Sequence, residues 1–419
     1  MIPSKIINGL ILLLVFLLPL VPSYFGKGYE EIKVLTLLYG TIGVIFLIST
    51  QFMFKRAKVM IPKLIWIMII LIIILLITST TGLNSTQSIL GGAPYFQGWV
   101  TYLFLAVLAI AVIIQNINSS NIIKTIIYSS SIVSLTALTQ YFMLQQGLFV
   151  PTYAGRVIST FGQPNFYAGF LLFTLPFLLD QISRARRNEK ILLLVTFALN
   201  CAAIAISFSR SAIILAAILI SLWLILKLTK TKITKFLLIV ILISGLFYAI
   251  YNARLIQHEL IQPIISQRVE NSNAQRRIYI WQVAIEQVRN RPLQGYGLEN
   301  INLAFPKTYD FNHPKPAFYH SIKDLAIDNT HNIFLNLLMW GGIVACLTFC
   351  YLYYEMYRST NNSTNKIFLI IFILWSIVQN LSIIHLVLFF LMIAVIVNET
   401  RQSIDTVKTK KVQLMKPEK

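Results

Sequence analysis

Apolar runs of membrane-spanning length recur from end to end of this chain, and they restrict its fold more than any other feature. A stretch of roughly 20 apolar residues spans a bilayer core as a helix. Inside lipid such a run must satisfy its own backbone hydrogen bonds, which leaves helices as the workable solution. The runs fall at about 6–22, 34–50, 64–80, 99–115, 122–141, 165–181, 191–208, 211–227, 236–251, 331–354, 367–382 and 384–398, the last two divided by a faint break at Asn380-Leu381-Ser382. The expected fold is an all-α polytopic membrane protein with about twelve transmembrane helices and one long helical external loop. The composition, 57% hydrophobic and 12% charged, is not that of a soluble domain.

The net charge is +20, from 35 Lys+Arg against 15 Asp+Glu. In a soluble protein this excess points to nucleic acid, but here the positions of the charges say otherwise. Lys55, Arg56, Lys58 and Lys63 lie between the second and third runs, Arg184, Arg186, Arg187 and Lys190 between the sixth and seventh, and Lys227, Lys230, Lys232 and Lys235 between the eighth and ninth. Arg358 and Lys366 follow the tenth, and the tail carries Lys408, Lys410, Lys411, Lys416 and Lys419. All fall on one side if the spans alternate from a cytoplasmic N-terminus, so the positive-inside rule puts both termini in the cytoplasm and no nucleic-acid partner is expected. Lys5 and the apolar stretch after it resemble a signal peptide, but Pro19-Leu20-Val21-Pro22 offers no small-residue cleavage site. An uncleaved first span is the expectation. Cys201, Cys346 and Cys350 sit inside apolar runs and imply neither a disulfide framework nor a metal knot.

This topology divides the chain into an N-terminal transmembrane bundle of about nine spans (1–251), an external loop (252–330), C-terminal spans (331–398) and a basic cytoplasmic tail (399–419). It places 81–98, 142–164, the turn at 207–210 and the 252–330 insertion outside. The insertion mixes nine Lys/Arg with seven Asp/Glu, a polar cap and not a basic arm. Ile278, Trp281, Ile285 and Val288 recur at helical spacing between Arg276 and Asn290, before Pro292 and Gly295. The spacing predicts an amphipathic helix lying over the membrane face. No Gly-rich phosphate loop, Asp-x-Asp pair or His-Glu-x-x-His occurs, so no metal or cofactor is expected.

Candidate chemistry gathers in the external segments. The insertion closes with Asp328-Asn329-Thr330-His331-Asn332 ahead of an apolar run. Those polar side chains are expected to cap the helix, with His331 in its first turn. There the dipole disfavours an imidazolium and leaves a neutral ring able to take a proton. His331 is therefore the candidate general base; the plainer alternative is a capping-region histidine. ATP and nucleotide sugars are generally absent outside, so an enzyme there needs an activated donor delivered in the membrane. A polyprenyl diphosphate carrying a glycan qualifies, and arginine forks suit its diphosphate. Arg210, between two apolar runs, is the sharpest candidate, with a snorkelling loop arginine as the alternative. Arg277 shares a helical face with Trp281; spacing alone does not choose between Arg277 and Arg276. Arg254, Arg268, Arg289 and Arg291 read as surface charge. Gly162 and Pro164 force a turn whose Asn165 is expected to cap the sixth span. Gly295-Tyr296-Gly297 reads as a turn, and His258, His313, His320 and His385 as structural or solvated.

Taken in order, Ser159-Thr160-Phe161-Gly162-Gln163-Pro164-Asn165, Ser209-Arg210-Ser211, Arg277-x-x-x-Trp281 with Arg291-Pro292-Leu293-Gln294-Gly295-Tyr296-Gly297, and Asp328-x-x-His331-Asn332-x-x-Leu335 with Gly341-Gly342 resemble the O-antigen ligase/polymerase superfamily. The similarity covers roughly residues 85–345. It implies a GT-C-like fold in the bacterial cytoplasmic (inner) membrane and a metal-independent, inverting glycosyltransferase. Catalytic His331 would activate an acceptor hydroxyl, and Arg210 and Arg277 would hold an undecaprenyl-diphosphate-linked glycan. Arg156, Asn165, Arg276, Trp281 and Asn332 complete the expected substrate-binding set, with membrane lipids around it. The acceptor stays open among lipid A–core sugar, a growing polysaccharide and a protein side chain. One position departs from the family: in the Ser88 to Gly98 stretch, Tyr95 stands where an arginine is usual, and Arg156 is the expected substitute. The competing function is a polytopic transporter or lipid-linked glycan flippase, which should carry charges near the bilayer midplane and interrupted helices in paired halves.

Overall fold

The computed structural model describes residues 3–23, 28–52, 62–228, 273–305 and 327–414. In chain order the helices are α1 (Ser4–Leu17), α2 (Glu31–Phe52), α3 (Lys63–Thr80), α4 (Ser85–Leu90), α5 (Trp99–Ile114), α6 (Ser119–Gln145), α7 (Pro164–Arg184), α8 (Arg187–Ile206), α9 (Arg210–Leu228), α10 (Asn273–Asn290), α11 (Ile301–Ala304), α12 (Ile333–Ser359), α13 (Ser363–Ser376) and α14 (Ile383–Leu414). Among the described residues the strands are β1 (Thr152–Tyr153) and β2 (Arg156–Val157), a short hairpin between α6 and α7. Among the described residues eight helices are long and apolar enough to cross a membrane, and α1, α5 and α13 are shorter apolar helices. This is an all-α polytopic membrane protein. These eleven coincide with eleven of the expected runs; the twelfth, 236–251, lies outside the described residues.

Two boundaries differ from expectation. The run at 367–382 stops being helical after Ser376, where Gln379 and Asn380 turn their side chains to tertiary partners and Ser382 Oγ accepts from the His385 N–H at the start of α14. The last run does not end at 398, because α14 continues to Leu414. Nothing after Ile383 breaks a helix: the stretch has neither Gly nor Pro, and Glu399, Arg401 and Gln402 favour helix as much as the apolar residues before them.

Helices α7 and α14 form the centre of the bundle. Of their most apolar windows 83% and 89% is buried, against 22% and 17% for α8 and α9, which stand at the periphery. Phe173 of α7 packs its ring against Phe368, Phe372 and Trp375 of α13 and His385 of α14. α12 packs along α3, and α14 along α5.

α12 is broken at Gly342, whose φ of 66° and ψ of −167° lie outside helical space. A break in an apolar helix frees backbone groups that lipid cannot satisfy. Here the turn after α10 supplies the partners. The N–H groups of Tyr296 and Gly297 donate to the carbonyls of Met339 and Trp340 at 2.7 and 3.0 Å, and that of Ile343 donates to Pro292 O at 2.8 Å. A Cβ on Gly342 would lie 2.3 Å from Leu293 O. The Arg291–Gly297 motif and the Gly341-Gly342 motif are thus two halves of one packed unit.

Candidate active site at one end of the bundle

The segment that carries His331 is fixed by side chains reaching its backbone. α12 starts at Ile333, and Asn332 is the N-cap, accepting from the N–H groups of Phe334 and Leu335 at 3.0 and 3.3 Å. His331 is therefore not in the first turn, as its position suggested. It precedes the cap in a left-handed conformation with φ 56°. The reason is that Asn332 carries the nearest suitable acceptor and takes the capping position itself. The bend is held from both sides. Asn329 Oδ1 accepts from the N–H of His331 at 2.9 Å, and Asn336 Oδ1 accepts from the N–H and Oγ1 of Thr330 at 3.0 and 2.6 Å. Asn336 Nδ2 closes the set by donating to Asn329 Oδ1 at 3.0 Å.

Trp281 joins α10 to this bend. Its indole N–H donates to Thr330 O at 2.8 Å, so it anchors the residue next to His331. The expected apolar stripe of α10 needs correction. Ile278 and Ile285 are 53% and 45% exposed, whereas Ile280, Val283 and Ala284 are buried. The helix is rolled by the Trp281 tie and by its packing against α12, which turns the 280–284 face inward. Arg277 is half-buried, and that burial pulls its guanidinium below the usual arginine range. The side chain of Arg276 lies outside the described residues, as do Arg254, Arg268, His258, His313 and His320. Arg289 is exposed, and Arg291 rests over the Tyr296 ring at 5.2 Å.

Arg210 opens α9 and is exposed. The turn before it contains Phe208 at φ 52°, and the N–H of Ser209 donates to Ser207 Oγ at 3.0 Å. A cation at a helix N-terminus opposes the helix dipole. The same place favours an anion, because free backbone N–H groups and the guanidinium then act together. Arg156, on β2, reaches the same turn, its Nη1 donating to Ser207 O at 3.4 Å. Asn165 does not cap α7, which begins at Pro164 behind Gln163 without a side-chain cap. Its amide is engaged elsewhere, donating from Nδ2 to Gln379 Oε1 at 3.3 Å. Gln379 Nε2 in turn donates to Ser211 Oγ, beside Arg210, at 2.8 Å.

Gln379 is the link between these two groups of residues. With Gln97, Tyr102, Asn329, Ile333, Asn336, Trp340 and Leu381 it lines one cavity, so a side chain bonded to Ser211 beside Arg210 faces the same polar space as Asn329 and Asn336, which hold the His331 bend. An apolar cavity adjoins it, sharing Tyr102, Ile333, Trp340 and Leu381 and continuing to Leu71, Phe349 and Phe389.

The loop bearing Gln97 and Tyr95 is held by residues to which the sequence assigned no role. Glu299, in a left-handed conformation at φ 55°, accepts from the N–H groups of Gly92 and Gln97 through its two oxygens. Ser88 Oγ donates to Leu298 O at 2.9 Å, and Asn300 Nδ2 donates to Ser88 Oγ at 2.9 Å. Burial pushes the Glu299 carboxyl up to about 7, against the pull of its two N–H donors. Tyr95 is buried, and its hydroxyl accepts from Asn380 Nδ2 at 2.8 Å. His385, also buried, accepts from the Ser382 N–H at Nδ1 and donates from Nε2 to Phe166 O at 2.9 Å, a structural bridge between α14 and α7. Among the described residues no group of three or more His, Cys, Asp or Glu is placed to hold a metal ion.

Comparison with known proteins adds a family to this geometry. Residues 195–350 match the family model described as O-antigen ligase. A "ComP-specific O-oligosaccharyltransferase" of Acinetobacter baylyi is 25% identical over 370 residues, covering 84% of this chain and 62% of the relative. A Rickettsia conorii protein named "Putative polysaccharide ligase" is 24% identical over 141 residues, covering 29% of this chain and 32% of that one. The chain thus spans less than two thirds of the length of these curated relatives.

Proposed function

We propose that this chain, whose residues 195–350 match the O-antigen ligase family model, transfers a glycan from an undecaprenyl-diphosphate carrier to an acceptor hydroxyl at the outer face of the cytoplasmic membrane. One observation carries this reading: Gln379, which donates to Ser211 beside Arg210, lines one polar cavity with Asn329 and Asn336, the two residues that hold the His331 bend, at one end of an apolar bundle. In this reading Arg210, Arg277 and Arg156 hold the diphosphate, and the adjoining apolar cavity leads toward the polyprenyl chain.

The reaction is a displacement at the anomeric carbon. His331 takes the acceptor proton as the oxygen attacks and the new C–O bond forms. The bond from the anomeric carbon to the phosphate oxygen breaks, and its electron pair leaves with the carrier diphosphate. Attack from the face opposite the leaving group inverts the anomeric centre. Arg210 and Arg277 bind charge that is present in the donor and grows on the leaving diphosphate, a task a divalent cation performs in other enzymes. Trp281, Asn332 and the Asn329–Asn336 pair hold the base in place. The acceptor is a lipid A–core sugar, another glycan chain or a protein hydroxyl, and the named O-oligosaccharyl transfer of the Acinetobacter relative fits an oxygen acceptor.

The test is transfer of a labelled glycan by the purified protein in liposomes. Arg210→Ala and Arg277→Ala should weaken donor binding and slow turnover together, with only partial rescue by lysine, which lacks the bidentate fork. Transfer should persist in EDTA. Loss on chelation with recovery in Mg²⁺ or Mn²⁺ would overturn the arginine assignment, and unchanged donor binding in both alanine variants would overturn the donor site.

A further inference from the structure

A patch of aromatic rings lies between the arginine turn and the His331 bend. Tyr29 comes from the stretch before α2, Tyr95 from the loop held by Glu299, Tyr153 from β1 and Phe166 from the first turn of α7. The Tyr29 ring stands edge-on to Tyr153 at 5.7 Å, and lies 6.1 Å from Tyr95 and 6.3 Å from Phe166. Tyr95 and Phe166 are buried, while Tyr29 and Tyr153 are only half-buried. Two rings thus form a backing, and two keep surface open in front of it.

The position of the patch is set by its neighbours. Tyr153 pairs with Arg156 across the hairpin, and Arg156 donates to the carbonyl of Ser207 in the Arg210 turn. On the other side Tyr95 accepts from Asn380, and Phe166 follows Asn165, whose amide donates to Gln379, the residue that shares a cavity with Asn329 and Asn336 of the His331 bend. The rings therefore occupy the interval between the diphosphate cations and the base. Displacement chemistry leaves one occupant for that interval: the sugar whose anomeric carbon is bonded to phosphate on one side and attacked from the other. A pyranose has an apolar C–H face and a rim of hydroxyls, which matches tyrosine, apolar in its body and polar at its tip.

We propose that Tyr29 and Tyr153 form the subsite for the diphosphate-linked sugar of the donor, an uncharged sugar packed against their rings with its hydroxyls shared among the phenols and Asp328. This rests on the donor reading above. The preference for an uncharged sugar follows from the neutral rings that make up the patch and from the Asp328 carboxylate in the segment before His331, which would repel an anionic sugar.

The experiment measures binding of two probes to the purified full chain in liposomes: bare undecaprenyl diphosphate, and undecaprenyl diphosphate carrying one N-acetylglucosamine. The wild type should bind the sugar-bearing lipid more tightly. Tyr153→Ala should weaken that probe by about tenfold, the scale of one lost aromatic packing interaction, and leave the bare lipid within about twofold. Tyr153→Phe and Tyr153→Trp, which keep a ring, should retain most of the preference and serve if the alanine variant does not fold. Arg210→Ala should weaken both probes. Equal binding of the two probes by the wild type, or equal weakening of both by Tyr153→Ala, would overturn the subsite. If Arg210→Ala left both probes unaffected, the diphosphate reading would fail instead.

Discussion

The two ends of the bundle differ in how most of their charged residues are used. At the end where α3 begins and α12 finishes, charges pair with other charges near the surface. Lys63 Nζ lies 2.9 Å from Glu355 Oε1, Arg358 approaches the same oxygen at 3.8 Å, and Arg184 pairs with Asp180 at 2.9 Å. Such pairs contribute little and are readily replaced. At the other end, polar side chains hold backbone. Lys33, buried, donates from Nζ to the carbonyls of Leu18, Pro19 and Val21, and Glu299 gathers two N–H groups of the 91–98 loop. Among the described non-glycine residues with positive φ, Phe96, Ala154, Ser159, Phe208, Glu299 and His331 all lie at this second end, and Asn116 at the first. Left-handed backbone at such residues costs on the order of 1–3 kcal/mol each and persists where surrounding contacts enforce it. The contrast teaches that the fold holds unfavourable backbone at the end where the family motifs meet, as a built site requires.

The sharpest way to break this contrast is at the α12 interruption. Gly342→Ala puts a side chain into glycine-only backbone and against Leu293 O, so it should destabilise the fold by roughly 2–5 kcal/mol and abolish transfer. Gly9→Ala and Gly43→Ala, where an added Cβ meets nothing within 4 Å, should be neutral or stabilise by about 0.5–1 kcal/mol. Thermal unfolding in detergent compares them, and a Gly342→Ala variant as stable as wild type would remove the role given to the 292–297 turn.

Next in size is Glu299. Its replacement by alanine leaves the buried N–H groups of Gly92 and Gln97 without an acceptor, a loss of about 1–3 kcal/mol. The same carboxyl gives a pH signature. Its value in the fold, about 7, is raised above the ordinary 4.5, so ionisation opposes folding. Its contribution to stability is present below about pH 4.5 and lost as pH rises through about 7. Glu299→Gln, neutral throughout, should flatten the stability profile over that interval; an unchanged profile would reassign the titration.

Smaller still, Arg276→Ala should slow transfer far less than Arg277→Ala, since the half-buried Arg277 is the residue assigned to the diphosphate; the reverse order in a donor-binding assay would exchange their roles. Least of all, Lys63→Ala at the opposite end should leave transfer within about twofold of wild type, and a loss comparable to that of Arg210→Ala would erase the distinction between the ends.

The sequence made some of this visible and hid the rest for physical reasons. The spans were legible because a run that must cross lipid cannot disguise its composition, and eleven of them coincide with apolar helices. Arg156 and Asn165 stood out beside their turn motifs and do contact the arginine turn and its partner Gln379, although Asn165 acts through a tertiary bond and not as a cap. The coupling of Arg291–Gly297 to Gly341-Gly342 was illegible, since two glycine-rich turns far apart carry no record of their register. Glu299, inside the polar insertion, and Gln379 and Gln97, at the ends of apolar runs, escaped notice because a polar residue in either place looks the same whether it faces water or a neighbouring loop. The His331 error has a similar origin: spacing identifies a capped helix start, but Asn329, Thr330 and Asn332 are all capable caps, and tertiary contacts to Asn336 decide which one serves.

The most direct test of the account is a single-turnover measurement on His331→Ala, with donor affinity measured on the same preparation. A base acting in the transition state typically contributes on the order of 10²–10⁴-fold in rate. His331→Ala should lose that much in the transfer step with donor binding nearly unchanged, as expected of a group that touches the acceptor proton and not the diphosphate. Normal turnover by His331→Ala would contradict it, and so would a variant whose defect lay wholly in donor binding.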